Sequence, residues 1–79
     1  MDRTEKIRNE ILLQAYGYRP QARDAKRMAH LAQREGELAD ATAAEFGIEA
    51  ACLCDKSFLK EEPDPVAMRH KRYRITAQG

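Results

Sequence analysis

Arg72-Tyr73-Arg74-Ile75-Thr76-Ala77-Gln78-Gly79, taken with Ser57-Phe58-Leu59-Lys60-Glu61-Glu62 upstream, is the stretch that decides how this chain folds. The later run alternates charged and apolar side chains with a period of two, as a strand with one wet face does. The earlier run steps from apolar to charged on leaving a helical pattern. Between them Pro63-Asp64-Pro65 predicts a loop, because proline cannot donate to a ladder. Two short strands therefore close a chain whose remaining periodicity is helical. Tyr73 and Ile75 are expected to face the core, with Arg72, Arg74 and Thr76 facing out.

The 79 residues make one domain, 1–79, near the lower size limit for a stable core. Such a chain buries only about 60–65% of the surface it exposes unfolded. An apolar fraction of 43% and a charged fraction of 34% argue against disorder. No apolar run approaches the ~20 residues that span a bilayer, and Met1-Asp2-Arg3-Thr4-Glu5-Lys6 leads straight into a helical pattern rather than a signal peptide. The expectation is a cytoplasmic protein with no membrane partner.

Three amphipathic segments precede the strands. Asp2 or Thr4 caps a first helix carrying Ile7, Ile11, Leu12 and Ala15 on one face, with Glu5, Arg8 and Glu10 outside and Gly17 as its stop. Tyr18-Arg19-Pro20-Gln21 is extended by the proline and fits a very short strand. Asp24 caps a second helix with Ala25, Met28, Ala29 and Ala32 inward and Gly36 as its terminator. The turn Gly36-Glu37-Leu38-Ala39 then leads to a third helix opened by Asp40 or Thr42. There Thr42-Ala43-Ala44-Glu45 fits a capping box, and Phe46, Ala50, Leu53 and Cys54 form the inner stripe. Gly47 marks either a close crossing or a break. The predicted core is Ile7, Ile11, Leu12, Ala15, Met28, Ala29, Ala32, Leu38, Phe46, Ala50, Leu53, Phe58, Leu59, Tyr73 and Ile75.

Little in the chain suggests catalysis. Cys52 and Cys54 stand two apart on a helix, roughly 200° around its axis, so they neither bridge each other nor share a metal. They are expected to be buried free thiols. His30 and His70 have no acidic partner, and neither a glycine-rich phosphate loop nor a carboxylate pair is present. No enzyme activity, cofactor, metal or small-molecule substrate is expected.

Helix, short extended piece, helix, turn, helix, strand, loop, strand: this order resembles the winged helix-turn-helix superfamily. Leu53-Cys54-Asp55-Lys56-Ser57-Phe58-Leu59 is similar to the Leu-x-x-Lys-Gly-Phe/Leu-Leu turn after the third helix in many bacterial and phage members. Tyr73-Arg74-Ile75-Thr76-Ala77-Gln78-Gly79 is similar to their closing Tyr-Arg-Ile/Leu-Thr-x-x-Gly strand. The likeness extends from Ile7 to the last residue, and the whole chain looks like small uncharacterised winged-helix proteins found among prophage genes. Ser57 departs from the pattern, standing where glycine is commonest. The resemblance implies an α+β winged helix-turn-helix domain, three helices with a small two- or three-stranded antiparallel sheet. It also implies a DNA-binding, transcription-associated role with the third helix entering the major groove, where Thr42, Glu45, Glu49, Cys52 and Lys56 are the candidates.

Net charge is only +1, yet the charge is segregated. Residues 19–34 hold Arg19, Arg23, Lys26, Arg27 and Arg34 against Asp24. Residues 69–74 hold Arg69, His70, Lys71, Arg72 and Arg74 with no acid. Residues 35–55 hold Glu35, Glu37, Asp40, Glu45, Glu49 and Asp55 with no base. Arg23, Lys26, Arg27, Arg34, Arg69, Lys71, Arg72 and Arg74 are thus candidate phosphate contacts, and Thr42 and Lys56 complete the candidate nucleic-acid-binding set. The plainer alternatives are a solvated helix face and a charged edge strand. A protein partner docked on the acidic third helix is the alternative to double-stranded DNA. Deciding between them requires knowing whether the two basic runs meet.

Overall fold

Asp2, Asp24 and Thr42 open the three helices of the computed structural model, each by accepting a backbone N–H from the first turn. The donors are Glu5 at 2.8 Å, Arg27 at 2.7 Å and Glu45 at 3.1 Å, so each start has one orphan amide satisfied by a side chain. Helix α1 covers Arg3–Tyr18, α2 covers Ala25–Gln33 and α3 covers Ala43–Asp55. The structure describes residues 2–19, 21–34, 38–63 and 71–76.

Helix ends depart from expectation where a side chain beyond the expected stop is needed inside. α1 runs through Gly17 to Tyr18, which is buried and donates its hydroxyl to the Tyr73 carbonyl at 2.9 Å. Arg19 then turns extended (φ −53, ψ 149), as a residue before proline must. Of the expected strand at residues 18–21, Tyr18 is helical and Pro20 lies outside the described residues; the short strand is β1, Arg23–Asp24. α2 ends at Gln33 with Arg34 as its cap, and the expected terminator Gly36 lies outside the described residues.

The end of α3 is a left-handed cap. The Phe58 N–H reaches the Leu53 carbonyl and the Ser57 N–H reaches that of Cys54, both at 3.0 Å, which is the Schellman pairing. That geometry needs positive φ, and Ser57 supplies it at 67° without being glycine. Phe58 is thereby turned back against the core beside Leu53.

Beyond the cap run β2, Leu59–Pro63, and β3, Lys71–Ile75. The sheet is antiparallel, three-stranded, with order β1-β3-β2. Leu59 pairs with Ile75, Glu61 with Tyr73 and Pro63 with Lys71, while Arg23 pairs with Tyr73 from the other side. Pro63 is thus the last residue of an edge strand, a place where a missing donor costs little.

Phe46, Ile11 and Met28 are fully buried at the centre, and the helical stripes named above surround them. Leu12, Phe58 and Ile75 lie against this core but stay partly exposed, whereas Tyr18, Ala22 and Ala41 join it. The two alanines sit in connecting segments, where no periodicity announces burial. Cys52 and Cys54 are half-buried free thiols rather than buried ones. Burial, then Glu61 and Asp55, pushes the Cys54 thiol above its ordinary value.

Gly47 neither breaks α3 nor is required by a close crossing, since a Cβ there would lie 4.0 Å from the Ala25 Cβ, an ordinary contact. Gly47→Ala is therefore expected to raise stability by about 1 kcal/mol through helix propensity. Urea unfolding measures it, and a loss of stability contradicts the packing described. Tyr18→Phe is expected to cost about 1 kcal/mol through the lost hydroxyl bond. Burial pushes the Tyr18 phenol up to about 12. The folded chain therefore favours the protonated ring, and this contribution is intact below pH ~10 and lost as pH rises toward 12. Alkaline unfolding followed by tyrosinate absorbance should show that loss in the native chain and less of it in the variant.

Candidate nucleic-acid interface

The pairing of β1 with β3 brings the two basic runs together. Asp24 stands opposite Arg72 and Arg23 opposite Tyr73, so segments about fifty residues apart become neighbours. Arg23 of β1, Arg27 of α2 and Arg72 of β3 line one polar cleft of about 290 Å³ together with Gln21. The single carboxylate there, Asp24, is engaged in capping α2. A second cleft adjoins it, lined by Lys26, Lys71, Tyr73 and again Asp24, with Ala43 and Ala44 of α3. Arg23 also lies over the Tyr18 ring, 4.8 Å from its centroid, which fixes the guanidinium beside the cleft. All of this surrounds the N-terminal turn of α2, where the helix dipole adds positive potential.

Asp40, Glu45 and Glu49 do not neutralise this cluster, because arginines of α1 hold them. Arg3 holds Glu45 (2.8 Å) and Asp40 (3.0 Å), and Arg8 holds Glu49 at 2.7 Å. The hydrogen bond from Arg3 keeps the Glu45 carboxyl below its usual range, and Glu49 raises the Arg8 guanidinium in the same way. Arg8 is accordingly half-buried against α3 rather than on the outer face of α1. Glu45 and Glu49, expected to point at a groove or a partner, face α1 instead. Glu45 and Glu49, four apart, share one face of α3, but which helix that face meets is set by packing.

On the hairpin, Glu61 holds Lys71 at 3.1 Å and Glu62 holds Arg74 at 2.7 Å, both along the diagonals of the register. The Glu61 hydrogen bond raises the Lys71 ammonium above its ordinary value, so it stays charged where it borders the second cleft.

The candidate residues thus divide. Arg23, Lys26, Arg27 and Arg72 converge without an ion pair among the described residues, and Lys71 joins them while bound to Glu61. Arg74 is tied to Glu62. Arg34 caps the far end of α2, about 10 Å along the axis from Arg27. Lys56 caps the far end of α3, and the Thr42 hydroxyl serves the start of that helix. Arg69 lies outside the described residues. Ala43 and Ala44, which no chemical motif marks, form the α3 side of the cleft.

With its glutamates turned inward, α3 exposes Ala43, Ala44, Ile48 and Ala51, and Ile48 is 63% exposed. Among the described residues no group of three His, Cys, Asp or Glu could hold a metal ion. None of the described helices is long and apolar enough to cross a membrane. No protein-family model, curated protein or solved structure matches the chain.

The inward pairing is checked by exchange of charges. Glu49→Lys is expected to lower the urea midpoint by setting two cations together between α1 and α3. Arg8→Glu combined with Glu49→Lys should recover most of that loss, and an unchanged midpoint in the single variant contradicts the pairing.

Proposed function

We propose that this chain is a winged-helix protein that binds double-stranded DNA, with β1, the start of α2 and β3 on the phosphates and α3 in or near the major groove. One observation carries the proposal: Arg23, Lys26 and Arg27 gather with Arg72 around the first turn of α2, while every glutamate of α3 is turned away and paired. The element order, the antiparallel hairpin and its cap at Ser57 support the winged-helix assignment. A net charge of +1 understates the local field, because it sums charges over the whole chain, including Glu45 and Glu49 held by Arg3 and Arg8. A protein adaptor using an acidic third helix is the other reading, but its carboxylates would first have to leave Arg3 and Arg8. The role is one of binding rather than catalysis.

Each cation that replaces a condensed counterion contributes about −0.9 to the slope of log affinity against log salt. Four such contacts predict a slope of about −3 to −4 on duplex DNA. Arg27→Ala and Arg72→Ala are each expected to flatten it by about 0.9, with Lys60→Ala, on the opposite edge strand, leaving it unchanged. Fluorescence anisotropy across a salt series measures this. Flat, negligible binding at low salt rejects the proposal.

A further inference from the structure

On the DNA-binding reading just given, we infer that this chain reads the duplex by its backbone and is tolerant of base sequence. Base pairs are told apart in the major groove by side chains that pair with donor and acceptor edges: arginine or lysine to guanine, asparagine or glutamine to adenine, a carboxylate to cytosine. α3 offers none of these where it borders the cations, which is at Ala43 and Ala44. Ile48 and Ala51 are its further exposed apolar residues. Lys26 and Lys71 share a cleft with Ala43 and Ala44, so a duplex seated on the cations meets this apolar surface.

The polar groups of α3 are committed or remote. Glu45 and Glu49 are bound by Arg3 and Arg8. The Thr42 hydroxyl accepts the Glu45 N–H and lies 3.5 Å from the Glu45 carboxylate. Asp55 and Lys56 stand at the opposite end of the helix from the cleft. What α3 itself brings to the groove floor is van der Waals contact, for which the thymine methyl is the apolar partner among base edges. Affinity then comes from the phosphates, and its salt dependence belongs to the duplex rather than to a site.

The test is a selection from a random-sequence duplex pool, followed by anisotropy on recovered, scrambled, A·T-rich and G·C-rich duplexes of equal length at one salt concentration. The expected result is no enriched motif, affinities within about threefold of one another with any bias toward A·T, and a common salt slope. An enriched motif bound tenfold or more tightly than its scrambled version overturns the inference and leaves duplex binding standing. Failure to bind any duplex at low salt removes the DNA-binding reading itself, and this inference with it.

Discussion

β3 lies between the other two strands, and Tyr73 at its middle ties the sheet to the helices. Its ring is buried among the helices, its backbone is paired on both sides, and its carbonyl accepts the Tyr18 hydroxyl from the end of α1. A chain this small leaves a large share of its surface in water, so tying the last helix turn of α1 to the central strand by a buried hydrogen bond matters. The same contact sets where β1 can run. Once Tyr18 is held, the residues after Pro20 reach the edge of β3 and pair there, carrying Arg23 and the start of α2 with them.

The functional surface follows from that constraint together with a sorting of charge. Cations and anions are nearly equal in number, yet they are not interspersed in space. The glutamates of α3 are drawn to arginines of α1, and those of β2 to their diagonal neighbours on β3. Exposed pairs of this kind add little stability individually. Their larger effect is subtractive: they remove negative charge from the neighbourhood of α2 and leave its first turn with guanidinium groups whose nearest carboxylate is a helix cap. A nearly neutral chain thereby acquires a face on which cations predominate.

Those parts of the fold that depend on near neighbours were legible in the residues. Asp24 and Thr42 cap the helices they were expected to cap, the stripes from Ile7 to Leu53 point inward, and the Tyr73 alternation forms a strand. Ser57 adopts the left-handed conformation despite lacking glycine's freedom, because the hydrogen bonds of Phe58 and Ser57 to the preceding turn enforce it. The misplacements concern residues whose role is set across the fold. Arg8 reads as an outer residue on α1 alone, since nothing within that helix reveals a glutamate facing it. Tyr18 reads as the start of an extended segment after Gly17, because its carbonyl partner lies fifty-five residues away. Ala22 and Ala41 are buried only because other elements cover them.

Helix starts, strand alternation, the hairpin and the separation of basic from acidic runs were determined by the sequence itself, since each is a matter of side chains within a few positions of one another. Whether the basic runs meet was decided by tertiary structure alone. Pairing of β1 with β3 brings Arg23 and Arg27 to Arg72, and the packing of α1 on α3 sets Glu45 and Glu49 against Arg3 and Arg8. Charge along a chain has no direction until the backbone gives it one, because an electrostatic field depends on distance in space and not on distance in sequence.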